Sequence, residues 1–332
     1  MKQLAALLSV LILSQAAAAQ EVPATDAAPV QNILVVGQRP GPALWKVSKD
    51  DHVMWVFGTY SPLPKKMAWR SQQVENALAQ SQELLGQPGA AFSVGWANSF
   101  NILTAAPFMI GIKKNADGAH LQDLVPADVY ARWLLLKTKY IGDDKGIEEE
   151  RPLFAAGRLY SRGLFVNGMD NGYDISGGIT QLARNWKIKY TSTTLALDME
   201  NPRAAVREFK KAQLDDVACF TKTVERLESD LDAMKVRANA WSLGNIDAIR
   251  KLNFPDQKQS CDAAIMDSKW MGGLKGAADL RQRMWASWLA AAEKSLAANK
   301  STFAMLPMSD LLSQDGLIAS LRAKGYQIDE PD

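Results

Sequence analysis

The chain has 332 residues, 47% of them hydrophobic and 22% charged: enough apolar material for a sizeable core and too much for general disorder. Its 38 Lys+Arg and 36 Asp+Glu leave a net charge of +2 with no Lys/Arg-rich block, which argues against nucleic acid as a partner. There are two histidines, His52 and His120, which limits any mechanism needing a histidine cluster, and two cysteines, Cys219 and Cys261, which excludes a four-cysteine metal site.

The chain opens with Met1-Lys2, an apolar run over residues 4–13, and small residues ending in Ala17-Ala18-Ala19. This is the tripartite pattern of a secretory signal peptide, residues 1–19, with cleavage after Ala19 and a periplasmic or secreted destination. The apolar run is too short to span a bilayer, and no other segment is long enough, so no transmembrane segment is predicted. Residues 20–42, rich in Ala and Pro, read as a flexible leader containing a short edge strand at 33–36. Residues 43–330 read as a single domain. In an oxidising compartment Cys219 and Cys261 are expected to pair as a disulfide.

Residues 43–47 and 53–57, rich in Val, Trp and Phe around the polar Lys49-Asp50-Asp51, predict a β-hairpin. Ser71 is placed to cap a helix with Val74, Leu78 and Ser81 on one face, and Gly86-Gln87-Pro88-Gly89 breaks the chain. Val129, Trp133, Leu136 and Tyr140 mark a helix over 127–140, and the charged run 143–151 reads as a solvated connection. A helix over 175–186 and a strand over 188–193 follow. Val217, Phe220, Val224, Leu227, Leu231, Met234, Ala238 and Trp241 recur every three or four residues. That spacing predicts one long amphipathic helix, its seam packed inside the domain or forming a homodimer contact. Residues 247–252, and Leu280, Met284, Trp288 and Ala292, mark further helices. A strand at 302–306, a helix at 317–323 with Gly325 as its cap, and a strand at 326–328 close the chain. The fold class is mixed α/β, helix-rich, its sheet built from strands near both chain ends and covered by helices.

Ala43-Leu44-Trp45-Lys46-Val47-Ser48, Val56-Phe57-Gly58-Thr59, Leu63-Pro64 and Trp69-Arg70-Ser71 resemble the start of the TraB/GumN family, which includes the Tiki metalloproteases. The resemblance continues in Trp241-x-x-Gly244, in residues 281–284, in Thr302-Phe303-Ala304, in Asp315-Gly316-Leu317-Ile318 and in Leu321-Arg322-Ala323-Lys324-Gly325-Tyr326. It implies the family's sheet. It also implies a divalent cation held by a histidine in an early Gly-Thr-x-His motif, a histidine in a late Gly-x-x-His-Leu motif, and a glutamate after the first helix. Such a cation would acidify a bound water into a nucleophile.

The chain departs at each of these positions. Ser61 stands where the early histidine belongs, after Gly58-Thr59-Tyr60. Asp310 replaces the late histidine in Pro307-Met308-Ser309-Asp310-Leu311, and Gln87 replaces the glutamate. A hydroxyl and a carboxamide are poor ligands for zinc or manganese, and one aspartate alone does not hold a catalytic cation tightly. Other residues offer no rescue. Gly118-Ala119-His120-Leu121 is one residue short of the late motif, and His52 sits at the wrong end of its strand to serve Ser61 as a base. Gly86, Gly89 and Gly95 lack the spacing of a phosphate loop. The reading leans away from catalysis: no catalytic residue, metal or cofactor, and a vestigial site at Gly58, Thr59, Ser61, Gln87 and Asp310. The implied role is binding or scaffolding in the cell envelope, the partner being an envelope protein or small ligand. Two alternatives are a metal-dependent, peptidase-like hydrolase remodelled around Asp310, and a protein that self-associates through the 217–241 seam.

Overall fold

The computed structural model describes residues 41–93, 107–170, 173–251, 257–274, 277 and 279–331. The expected signal peptide, the strand at 33–36 and nearly all of the leader lie outside them.

The hairpin forms as its pattern requires. Strand β1 (Leu44–Lys49) pairs antiparallel with β2 (His52–Thr59), from Leu44↔Phe57 to Lys49↔His52. Asp50 takes the left-handed turn conformation at φ 54°, which Asp tolerates better than most residues. Trp45, Val47, Met54, Val56 and Phe57 enter the core.

Further elements follow in chain order: β3 (Leu63–Pro64), α1 (Gln72–Ala79), β4 (Glu83–Leu85), β5 (Gly89–Ser93), α2 (Ala127–Tyr140), α3 (Pro152–Val166), β6 (Met169–Asp170), α4 (Tyr173–Asn185), β7 (Lys189–Thr191) and β8 (Thr194–Asp198). The second half holds α5 (Pro202–Lys211), α6 (Val217–Ser229), α7 (Leu231–Ser242), α8 (Ile246–Lys251), α9 (Gln257–Met266), α10 (Leu280–Ala298), β9 (Ser301–Pro307), α11 (Met308–Leu312), α12 (Leu317–Ala323) and β10 (Gln327–Asp329).

The main sheet has six strands in the order β10-β1-β2-β9-β4-β7. Strand β9 lies parallel between β2 and β4, and β7 is parallel to β4. Phe303, Ala304, Met305 and Leu306 are all buried, the near-continuous apolar run of a parallel strand covered on both faces. Four of its six strands lie near the ends of the domain, and β4 and β7 join them from further along the chain. Two ribbons outside it, β3 with β6 and β5 with β8, are too short or too sparsely apolar to show an alternating pattern.

The 217–241 segment is two helices, not one. The chain turns at Asp230 (φ −108°, ψ −3°), whose carboxylate receives Arg237 from the following helix and lies 3.5 Å from Arg226 of the preceding one. The two halves serve different cores: Phe220, Val224 and Leu227 pack with Trp133 and Leu159, whereas Ala238 and Trp241 pack on the main sheet. The seam residues Phe220, Val224, Leu227, Met234, Ala238 and Trp241 are buried within the chain itself, while Val217 and Leu231 are half-buried. Cys219 of α6 and Cys261 of α9 form a disulfide, with Sγ–Sγ 2.00 Å. The run 143–151 is less solvated than its charge suggests. Ile147 is buried, Lys137 pairs with Glu148, Lys114 with Glu149, and Arg158 with both Asp144 and Glu150.

Candidate functional site at the strand ends

Parallel strands direct their carboxyl ends to one edge of the sheet, where open α/β sheets place their ligands. Here β2 and β9 end in register at Thr59↔Pro307, and β4 ends beside β9 at Leu85↔Ala304. The residues that follow these strands therefore share one edge.

Gly58 lets α11 pack closely on β2. A Cβ there would lie 2.7 Å from Met308 Cε and 2.9 Å from Leu311 Cδ1, so those side-chain ends would have to shift for α11 to pack this closely. Its carbonyl accepts a 2.7 Å hydrogen bond from Trp241 Nε1. Trp241 in turn packs against Phe57 and Trp69, with ring centroids 6.0 and 5.7 Å away. The turn after β4 is pinned in the same way. Gly86 N donates to Thr191 O, Trp288 Nε1 donates to Gly86 O, and the buried Thr193 hydroxyl donates to the carbonyl of Gln87. A Cβ at Gly86 would lie 2.7 Å from Tyr190 Oη.

Held by these contacts, the Gln87 side chain reaches Thr59. Gln87 Nε2 donates to Thr59 Oγ1 at 2.9 Å, and Thr59 Oγ1 donates to Leu306 O at 3.2 Å. Residues 59, 87 and 306, remote in sequence, thus form one chain of hydrogen bonds across the three strand ends. Ser61 is exposed two residues beyond Thr59, and Asp310 is half-buried in α11, three residues beyond Pro307. Among the described residues no hydrogen bond joins Ser61 to Asp310. Burial raises the Asp310 carboxyl above the ordinary aspartate range, opposed by the charges of Lys258 and Arg281 and by a long 3.5 Å contact from Ser309.

Tyr60 turns into the protein. Its Oη accepts from Arg237 Nε at 3.0 Å, and burial raises its pKa. Neither histidine joins the strand ends. His52 begins β2, 3.4 Å from Asp51 and from Lys300 Nζ, and its seven-residue separation from Thr59 is about 23 Å along a strand. His120 precedes the short helix Leu121–Leu124, its backbone N–H held by Asp123 at 3.0 Å.

These residues do not fit the divalent cation that the family resemblance implies. Thr59 is committed as donor and acceptor, Gln87 presents an N–H rather than an oxygen, and the charges acting on Asp310 are cationic. Among the described residues no group of three or more His, Cys, Asp or Glu is arranged to hold a metal. The sequence reading missed Lys258 and Arg281, because residues 258, 281 and 310 come together only in the folded chain.

A sheet with parallel inner strands and a polar carboxyl-end edge defines a family-level α/β architecture rather than an activity. The chain belongs to the TraB/PrgY/gumN family, whose model matches residues 43–330. No curated protein and no solved structure matches it. No helix among the described residues is long and apolar enough to cross a membrane.

Proposed function

We propose that this is an exported TraB/PrgY/gumN protein that works in the cell envelope by binding or scaffolding, its strand-end site having lost metal-dependent catalysis. The observation that carries the reading is the hydrogen-bond chain from Gln87 through Thr59 to Leu306. It satisfies the strand ends with neutral groups, where a metal site needs histidine and carboxylate lone pairs aimed at one point. Export is supported by the signal-like residues 1–19 and by the Cys219–Cys261 disulfide, a bond suited to oxidising compartments. N-terminal sequencing of secreted material should start near Gln20; a start at Met1 would overturn export.

A ligand stabilises a fold only in proportion to its binding of the folded state. Thermal unfolding of the wild type should therefore be unchanged by zinc or manganese. The triple variant Ser61→His, Gln87→Glu, Asp310→His should gain metal-dependent stability. Strong metal stabilisation of the wild type would sink the proposal and favour a hydrolase remodelled around Asp310. The raised Asp310 carboxyl is the one observation on that side, since burial that raises a carboxyl's pKa moves it toward the range of a general acid.

A further inference from the structure

A cleft of about 500 Å³ opens between α1 and α4, beside the β3–β6 ribbon. It falls within the roughly 300–1,000 Å³ range of small-molecule sites. None of the strand-end residues Gly58, Thr59, Ser61, Gln87 or Asp310 lines it, so the two proposals stand or fall separately.

The walls are aliphatic. Val74 and Leu78 of α1 face Ile175, Ile179 and Leu182 of α4, with Leu63 at the ribbon end. The α4 wall runs from residue 175 to 182, about 10 Å at 1.5 Å rise per residue, so the space suits an elongated occupant. Gly178 lies in the middle of that wall, and a Cβ built on it meets nothing within 4 Å. Glycine in a helix interior is unfavourable relative to alanine, and among the described residues no packing contact requires it here. Gly178 is exposed, so its missing side chain leaves that part of the cleft wall open.

The charges are lopsided. The ionic lining groups are Lys65, Glu75 and Asp170. The Lys65 ammonium lies 3.4 Å from the ring centroid of Phe165, which is not a lining residue. Glu75, half-buried on α1 next to Val74, makes no ion pair or side-chain hydrogen bond with any described residue. Glu75 lies in the first turn of α1, where the helix N-terminus favours its ionised form without occupying its oxygens. An apolar slot with a carboxylate that has no ionic partner among the described residues complements an unbranched apolar chain ending in a protonated amine. We propose that this cleft binds such a cationic amphiphile, its chain along the 175–182 wall of α4 and its ammonium at Glu75.

The test is isothermal titration calorimetry of the full chain with dodecylammonium and with dodecanoate, both below micelle formation. One dodecylammonium should bind saturably per chain, about tenfold more tightly than dodecanoate because the Glu75 charge attracts one head and repels the other. Glu75→Gln should erase that preference and leave apolar binding. Gly178→Leu should fill the slot and weaken binding about tenfold or more, while thermal stability stays level or rises because Leu is the better helix former. If that variant misfolds, Gly178→Ala provides a graded version of the same obstruction, with weaker binding expected. Absence of saturable binding, equal affinity for the two probes, or full affinity in a folded Gly178→Leu protein would overturn the proposal.

Discussion

Glu83 is the clearest case in this chain of a charge whose environment sets its energetics. It begins β4 with only 4% of its surface exposed. Burial alone would raise its pKa, yet four donors converge on it: the Thr191 hydroxyl, Lys189 Nζ at 2.9 Å, Asn299 Nδ2 at 2.7 Å and Ser295 Oγ at 3.1 Å. They come from β7, from α10 and from the turn before β9, and together they bring its pKa down from 4.5 to about 2. Each tenfold change in proton affinity is worth about 1.4 kcal/mol, so ionised Glu83 contributes about 3 kcal/mol to folding at neutral pH. A depressed folded-state pKa means that this contribution is complete above about pH 4.5 and is lost as pH falls through about 2. Glu83→Gln puts an N–H where the donors of Asn299 and Ser295 point. Urea unfolding at pH 7 should show the variant less stable by about 3 kcal/mol, a midpoint shift of about 1 M at a slope of about 3 kcal/mol/M. At pH 3 the gap should narrow to about 1 kcal/mol, because the wild type has lost most of the term. A gap of equal size at both pH values would refute the reasoning, since the loss would then come from packing rather than charge.

Reduction of the Cys219–Cys261 bond, which closes a 42-residue separation, should destabilise the protein by about 4 kcal/mol on the chain-entropy argument. A thiol assay on the unfolded, unreduced protein should find no free thiol; two free thiols would end that idea. Thr59→Val keeps the shape of the side chain but removes the acceptor of Gln87 and the donor to Leu306. It should cost about 1–3 kcal/mol by urea unfolding, and an unchanged midpoint would show that the strand-end hydrogen bonds contribute nothing.

What could be read from the sequence was periodicity and turn chemistry. The hairpin, the helix over 127–140, the strand after Lys300 and the helix over 317–323 follow from spacing within the segment itself, and they appear where the spacing puts them. The break at Asp230 was not legible. The seam repeats through it without interruption, and what turns the chain is a carboxylate shared between Arg226 and Arg237, which only tertiary structure brings together. Strand β4 is three residues, too short to show alternation, and it is a strand because β9 offers it an edge; β7, which lies inside the strand expected over 188–193, pairs on the far side of β4. At the strand ends the positions Gly58, Thr59 and Gln87 were legible through family motifs. The direction of their hydrogen bonds was not, because it depends on how Thr193 and Trp288 hold the turn around residues 86 and 87.

That direction bears on the site's chemistry. From Gln87 N–H to Thr59 Oγ1, and from Thr59 O–H to Leu306 O, every donor meets an acceptor. A carboxylate at position 87 would need a donor facing it. Thr59 would have to rotate its proton away from Leu306, or a cation would have to supply the missing positive charge. The carboxamide removes that need, because an N–H and a neutral hydroxyl satisfy each other with no third party. The parallel pairing of β2, β9 and β4 brings the three strand ends together whatever residues stand there. On the proposed reading the fold keeps its sheet while the edge exchanges ligands for hydrogen-bond partners, and the Gln87–Thr59 pair, more than any missing histidine, would make the neutral state of this edge self-sufficient.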